Sequence, residues 1–161
     1  MRHGKAEPFA GEDYRRRLLD RGYRDSTAAG EWLAAHDMVP THALVSSAQR
    51  TRATWEALAE GAGSSAELVV EDAVYSADAD SALDLLSRTP ADAGVLIYVG
   101  HNPTAASLAH FLDDGDPDPD AFRAMSAGFP TAALAVLEVT VPWADLAAST
   151  GHLIAFHVGK A

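Results

Sequence analysis

The 161-residue sequence contains no cysteine. That excludes a disulfide framework, a thiolate nucleophile and any zinc or iron–sulfur site built on Cys ligands. Long apolar runs are lacking too: the longest, such as Ala132 to Leu137, fall well short of the ~18 residues a membrane-spanning helix needs. No charged, apolar and small-residue sequence opens the chain as a secretory signal would, so the expectation is a soluble, cytoplasmic protein with no membrane partner. Positive charge is scarce, with 12 Lys and Arg against 23 Asp and Glu and a net charge of -11. A surface of that sign repels a phosphate backbone, and nucleic acid is not an expected partner. Neither a G-x-G-x-x-G nor a P-loop sequence occurs, which ranks a doubly wound nucleotide-binding protein low.

The residues that are present have globular proportions, 48% hydrophobic and 22% charged, and the length suits one domain spanning residues 1–161. The charge is unevenly spread: residues 1–52 hold nine of the twelve bases against seven acids, giving +2, whereas the remainder is -13. A local anion site therefore belongs in the first third. Arg15, Arg16, Arg17 and Arg24 read as a solvated basic helix face.

Two element types alternate. Asp20 caps a helix to about His36, with Ala28, Ala29, Trp32, Leu33 and His36 on one buried face and Arg24, Asp25 and Glu31 on the other. Ala43 to Ser46 reads as a short strand, and a second helix follows Ser47 to about Glu60, turning Thr51, Trp55, Leu58 and Ala59 inward and ending at Gly61 and Gly63. Leu68 to Val70 is a further strand, with a helix from about Ala79 to Ser87. Gly94 to Val99 is an apolar run typical of a strand covered on both faces. Asn102 then caps a helix to about Leu112, with Pro103 at its first position. The acidic stretch Asp113 to Asp120 lacks the spacing of a calcium loop and reads as solvated. Two strands close the chain, about Ala132 to Val141 and His152 to Val158, one of them antiparallel at an edge because their link is short. The alternation predicts a three-layer α/β/α sandwich around a mainly parallel sheet.

In such sheets ligands bind beyond the carboxyl ends of the strands, where helix N-termini offer N–H groups. Three predicted junctions carry unusual polar residues: Arg2-His3-Gly4, Ser46-Ser47-Ala48-Gln49-Arg50 and Gly100-His101-Asn102-Pro103. Arginine offers a permanently charged fork matched to phosphoryl oxygens, and a neutral imidazole can attack phosphorus. Each segment alone is a weak signal; their placement at one sheet edge with one shared chemistry gives the set its weight. Arg52, two positions beyond Arg50, faces elsewhere on a helix. His36, His42, His110, His152 and His157 read as packing or surface residues, and no cluster suggests a metal.

These segments resemble the histidine phosphatase superfamily, with its phosphoglycerate mutase-like fold, and specifically its short SixA-like phosphohistidine phosphatase branch. The resemblance rests on Arg2-His3-Gly4-Lys5-Ala6, Leu19-Asp20-Arg21-Gly22, Ser46 through Thr54, and Val99-Gly100-His101-Asn102-Pro103, in that order. It implies a nucleophile at His3, phosphoryl ligands at Arg2 and Arg50, a donor at His101, and substrate contacts from Gly4, Ser47 and Asn102. No cofactor or metal is expected. Two guanidinium groups beside His3 would lower its pKa and keep its attacking nitrogen unprotonated. Gly4 would let the chain turn so that Arg2 and His3 converge. Glu71, Asp72, Tyr75 and Asp78 lie where larger relatives place a general acid, with Glu71 and Asp78 the candidates here. The apolar strand that family members carry before Arg-His-Gly does not precede Arg2 in this sequence. The expected substrate is phosphohistidine in a phosphorylated protein. The alternatives are a small phosphate ester, handled by a phosphomonoesterase of the same superfamily, and a non-catalytic phosphoprotein-binding module.

Overall fold

The computed structural model describes residues 1–8 and 11–161. Strands β1 (His42–Ser46), β2 (Glu67–Glu71) and β3 (Leu96–Val99) form a parallel sheet in the order β2-β1-β3. Strands β4 (Ala133–Val139) and β5 (Gly151–Val158) pair antiparallel, as their short connection requires. The first three residues join the two sheets. His3 N donates to Gly100 O and Gly100 N to Met1 O on one side, while Arg2 N donates to Ala133 O and Ala132 N to His3 O on the other. The segment bearing the Arg-His pair is thus fixed from both flanks without a named strand of its own.

Alternation along the strands separates two apolar layers. Ala43, Val45 and Val99 pack with Ala29, Leu33, Trp55 and Leu58 of helices α1 (Asp20–Ala35) and α2 (Gln49–Ala62). Leu44 and Tyr98 point the other way, into a cluster with Val74 of α3 (Ala73–Ser76), Leu86 of α4 (Ala79–Leu86), Leu108 of α5 (Thr104–Leu112) and Met125 of α6 (Pro119–Ser126). Helices therefore cover both faces, and the three-layer sandwich follows from period-two strands. β2 lies at the sheet edge, and its Leu68, Val69 and Val70 stay exposed.

Several sequence expectations need correction. The buried stripe of α1 is Gly22, Asp25, Ser26, Ala29, Gly30 and Leu33, rotated from the expected face, because both α2 and the chain end beyond β5 pack on this helix. Asp25, expected outside, is buried where Ala161 N approaches its carboxylate. Asp20 is the first helical residue rather than the cap, which is Leu19. Gly61 does not end α2 but lies inside it, where a Cβ would collide with the Thr27 carbonyl; the left-handed cap is Gly63. Asn102 does not cap α5, since its amide donates to Phe129 O at 2.9 Å. The acidic stretch is not solvated loop throughout: Asp118 accepts from Asp120 N and Ala121 N and so caps α6, a helix whose two turns were too short to announce themselves by periodicity.

Candidate active site

The site lies at the carboxyl ends of β1 and β3, where the residues after each strand meet the Arg2-His3 segment. Arg2, His3, Lys5, Ala6, Asp13, Arg16, Arg50, His101, Asn102 and Thr131 line a cleft of about 390 Å³. His3 is held by its own backbone: Nδ1 lies 2.7 Å from Gly4 O. A carbonyl only accepts, so Nδ1 carries the proton and Nε2 keeps its lone pair. Arg50, at the first turn of α2 and 4% exposed, donates from Nε to that Nε2 at 3.3 Å. Burial pulls the pKa of His3 down to about 4, the Gly4 bond opposes this, and the positive charges of Arg50, Arg2 and Arg16 lower it further. His3 is therefore neutral near pH 7.

His101 faces His3 with ring centroids 5.4 Å apart. Its Nε2 lies 2.8 Å from Ser46 Oγ and its Nδ1 3.2 Å from an Arg50 terminal nitrogen. A guanidinium only donates, so Nδ1 accepts and Nε2–H points to Ser46. Burial, followed by the charge of Arg50, brings the pKa of His101 down to about 3. Arg2 reaches the cleft from the neighbouring position and donates from Nη1 to Phe129 O at 2.9 Å, the same carbonyl that holds Asn102. Four residues singled out in the sequence, Arg2, His3, Arg50 and His101, are brought together around one volume.

Gly4 has a different reason from the expected turn. A Cβ there would come within 2.7 Å of Gly22 O and 2.8 Å of Ser26 Oγ, and a Cβ on Gly22 would collide with the Lys5 carbonyl. The two glycines let the segment after His3 lie against the first turn of α1. On its other side Gly4 N donates to Thr54 Oγ1 at 2.9 Å, and Thr54 bonds back to Arg50 O. The loop that bears His3 and the helix that bears Arg50 are thereby tied together.

Other expected residues fall outside the cleft. Ser47 is buried, its hydroxyl without a partner among the described residues, and its neighbour Ser46 is the one that meets His101. Asp78 is spent as the α4 cap on Ser81 N, and Glu71 accepts from Ala73 N; neither borders the cleft. Arg52 is exposed, as its helical position predicts. Arg15, Arg17 and Arg24 are exposed as well, but Arg16 turns into the cleft. Asp13 and Arg16 were missed: both belong to a short 3-10 turn, Asp13–Arg15, and the residue after it, where no periodicity marks an inward face. Asp13 accepts from Arg16 at 2.8 Å, from Arg50 at 2.9 Å and from the Tyr75 hydroxyl at 2.7 Å.

Fold and site together define a histidine phosphatase, and the chain belongs to the histidine phosphatase superfamily. Within it the chain sides with the SixA-like members. The SixA structure from Nakamurella multipartitia is 34% identical and superposes with a TM-score of 0.87, covering all of this chain and 94% of its own. SixA from Agrobacterium tumefaciens is 28% identical at a TM-score of 0.78, covering 98% of this chain and 95% of that one. An uncharacterised protein of Mycobacterium tuberculosis is 34% identical over 162 residues, covering 99% of this chain and all of the relative. No family model matches the sequence.

Proposed function

We propose that this protein is a metal-independent phosphatase that works through a covalent phosphohistidine at His3 and removes phosphate from phosphohistidine in a phosphorylated protein. The observation that carries the reading is the state of the His3 ring: Nδ1 is occupied by Gly4 O, and Nε2 is unprotonated beside the Arg50 guanidinium. In the first step Nε2 bonds to phosphorus as the phosphorus–nitrogen bond of the substrate breaks, and the departing imidazole takes a proton from solvent. In the second, water attacks phosphorus, the His3 nitrogen leaves, and inorganic phosphate is released. Such a transfer needs placement and charge stabilisation above all. Arg2 and Arg50 supply fixed positive charge for the equatorial oxygens. A phosphoryl dianion beside His101 favours protonation of Nδ1, which then donates to it.

What can give up a proton in and around the cleft supports this substrate class. Asp13 is held ionised by Arg16 and Tyr75, and the carboxylates of Glu71 and Asp78 are turned to backbone amides elsewhere. An alkoxide leaving group needs a placed acid, whereas an imidazole departs with less help. Trapping the phosphoenzyme and mapping it tests the mechanism, with an acid-labile adduct on His3 expected. Comparing kcat/KM for a phosphohistidine-bearing phosphotransfer domain with that for sugar phosphates and phosphoglycerates tests the substrate. A preference for a phosphomonoester would remove the substrate assignment while leaving the His3 step standing.

A further inference from the structure

Asp13 borders the cleft but has no part in the steps above. Asp13 approaches from the 3-10 turn that precedes α1, and it meets Arg50 twice: Arg50 Nη1 donates to the Asp13 carbonyl at 2.7 Å and Nη2 to its carboxylate at 2.9 Å. We propose that Asp13 is a positioning residue for Arg50, gripping two guanidinium nitrogens so that the third, Nε, is aimed at His3. This rests on the reading of His3 as nucleophile and Arg50 as phosphoryl ligand.

An arginine side chain has several rotatable bonds, and confining its head group to one orientation costs entropy that a second anchor offsets before substrate arrives. Asp13 is itself anchored. Its other carboxylate oxygen accepts from Arg16 at 2.8 Å, and the Tyr75 hydroxyl of α3 donates to the oxygen that Arg50 uses, at 2.7 Å. The Tyr75 ring in turn stands edge-on to His101, centroids 5.4 Å apart, with the Arg50 guanidinium carbon 5.9 Å from its centre. Two elements far apart in sequence, through Arg50 and Tyr75, therefore converge with the nearby Arg16 on one carboxylate. Direct roles fit Asp13 poorly. A carboxylate repels an incoming phosphoryl group, and the hydrogen bonds from Arg16 and Tyr75 hold its carboxyl well below the usual range, leaving no proton to donate.

The full chain, labelled with ¹⁵N-arginine, is compared with Asp13→Ala and Asp13→Asn by the hydrogen exchange of Arg50 Nε–H and by kcat and KM for phosphoramidate. In Asp13→Ala the exchange protection is lost and kcat falls by roughly 10- to 100-fold, the scale of a small misplacement of a reacting group, with a smaller change in KM. Asp13→Asn keeps one oxygen acceptor and lies between. If Asp13→Ala does not fold, Asp13→Asn alone must still show partial loss in both measurements. Unaltered Arg50 protection, or an unaltered kcat, overturns the proposal. Absence of turnover and of phosphohistidine in the unmodified protein strikes instead at the His3 reading, and the exchange measurement then still decides whether Asp13 fixes Arg50.

Discussion

Arg50 Nε stands 3.3 Å from His3 Nε2, on the side of the ring opposite the nitrogen that bonds to Gly4 O. The imidazole is thus oriented from one side by backbone and from the other by a permanent positive charge. Substituting either member should remove catalysis by a different route. His3→Ala abolishes turnover and phosphoenzyme formation while the protein stays folded, because the ring is anchored by a local contact rather than by the core. Arg50→Ala lowers kcat/KM by a transition-state loss of roughly 2 to 4 kcal/mol, the range for a buried charge-assisted donor. Arg52→Ala, on the exposed side of the same helix, leaves it within a few-fold. Steady-state kinetics of the three variants decide this, and equal losses from Arg50→Ala and Arg52→Ala would contradict the assignment.

How far the sequence foretold this arrangement depended on the kind of signal each residue gave. The strands were legible because short apolar runs between turn residues admit few other readings, and the junction motifs were legible because strand ends fix where the following residues go. Asp13 and Arg16 were not, since a 3-10 turn has no repeat from which to infer a face. Asp25 was placed on the wrong side of α1 because helical periodicity yields a stripe without saying that the chain end would pack beside it. Ser47 was the expected contact, but Ser46 is the residue that meets His101, because successive side chains at the end of β1 point to opposite sides.

The lowered histidine pKa values set the pH behaviour. For His3 at about 4, the acid limb of kcat/KM falls near pH 4 instead of the ~6.5 of an unperturbed imidazole. Stability moves with it. A histidine whose pKa is lower folded than unfolded has its neutral form favoured by folding, so protonation favours the unfolded chain. The contribution is complete above about 6.5 and is lost as pH falls toward the folded values, about 4 for His3 and about 3 for His101. Denaturant titrations between pH 7.5 and 4.5 should show declining stability, with a shallower decline in His3→Gln. An acid limb near 6.5 would mean that the ring is not held neutral as described.

Chelation makes a separate test. Among the described residues no group of three His, Asp or Glu side chains is placed to hold a metal ion, and Arg2, Arg16, Arg50 and Lys5 already surround the cleft with positive charge. A dication there would meet repulsion instead of ligands. Turnover should therefore persist after treatment with EDTA and dialysis. Loss of activity restored by zinc or magnesium would require a different chemistry from the one proposed.

The contact between Gly4 and Gly22 links the site to the stability of α1. A methyl group on Gly22 would collide with the Lys5 carbonyl, which is backbone and cannot swing away as a side chain could. Relief requires the segment after His3 to move off α1, and the backbone bond from Leu19 N to Lys5 O at 2.9 Å lies in the path of that movement. Gly22→Ala should therefore destabilise the fold by about 1 to 3 kcal/mol, the usual cost of overpacking, despite the higher helix propensity of alanine, which alone would stabilise by up to about 1 kcal/mol. Because Gly4 N is also bonded to Thr54 of α2, the displacement is resisted on that side and should misalign His3 against Arg50. A folded Gly22→Ala protein should then lose kcat more than it loses affinity for phosphate. Thermal melts and phosphate titrations measure both effects, and a variant more stable than the parent with unchanged kcat would show that the close approach of the two glycines carries neither role.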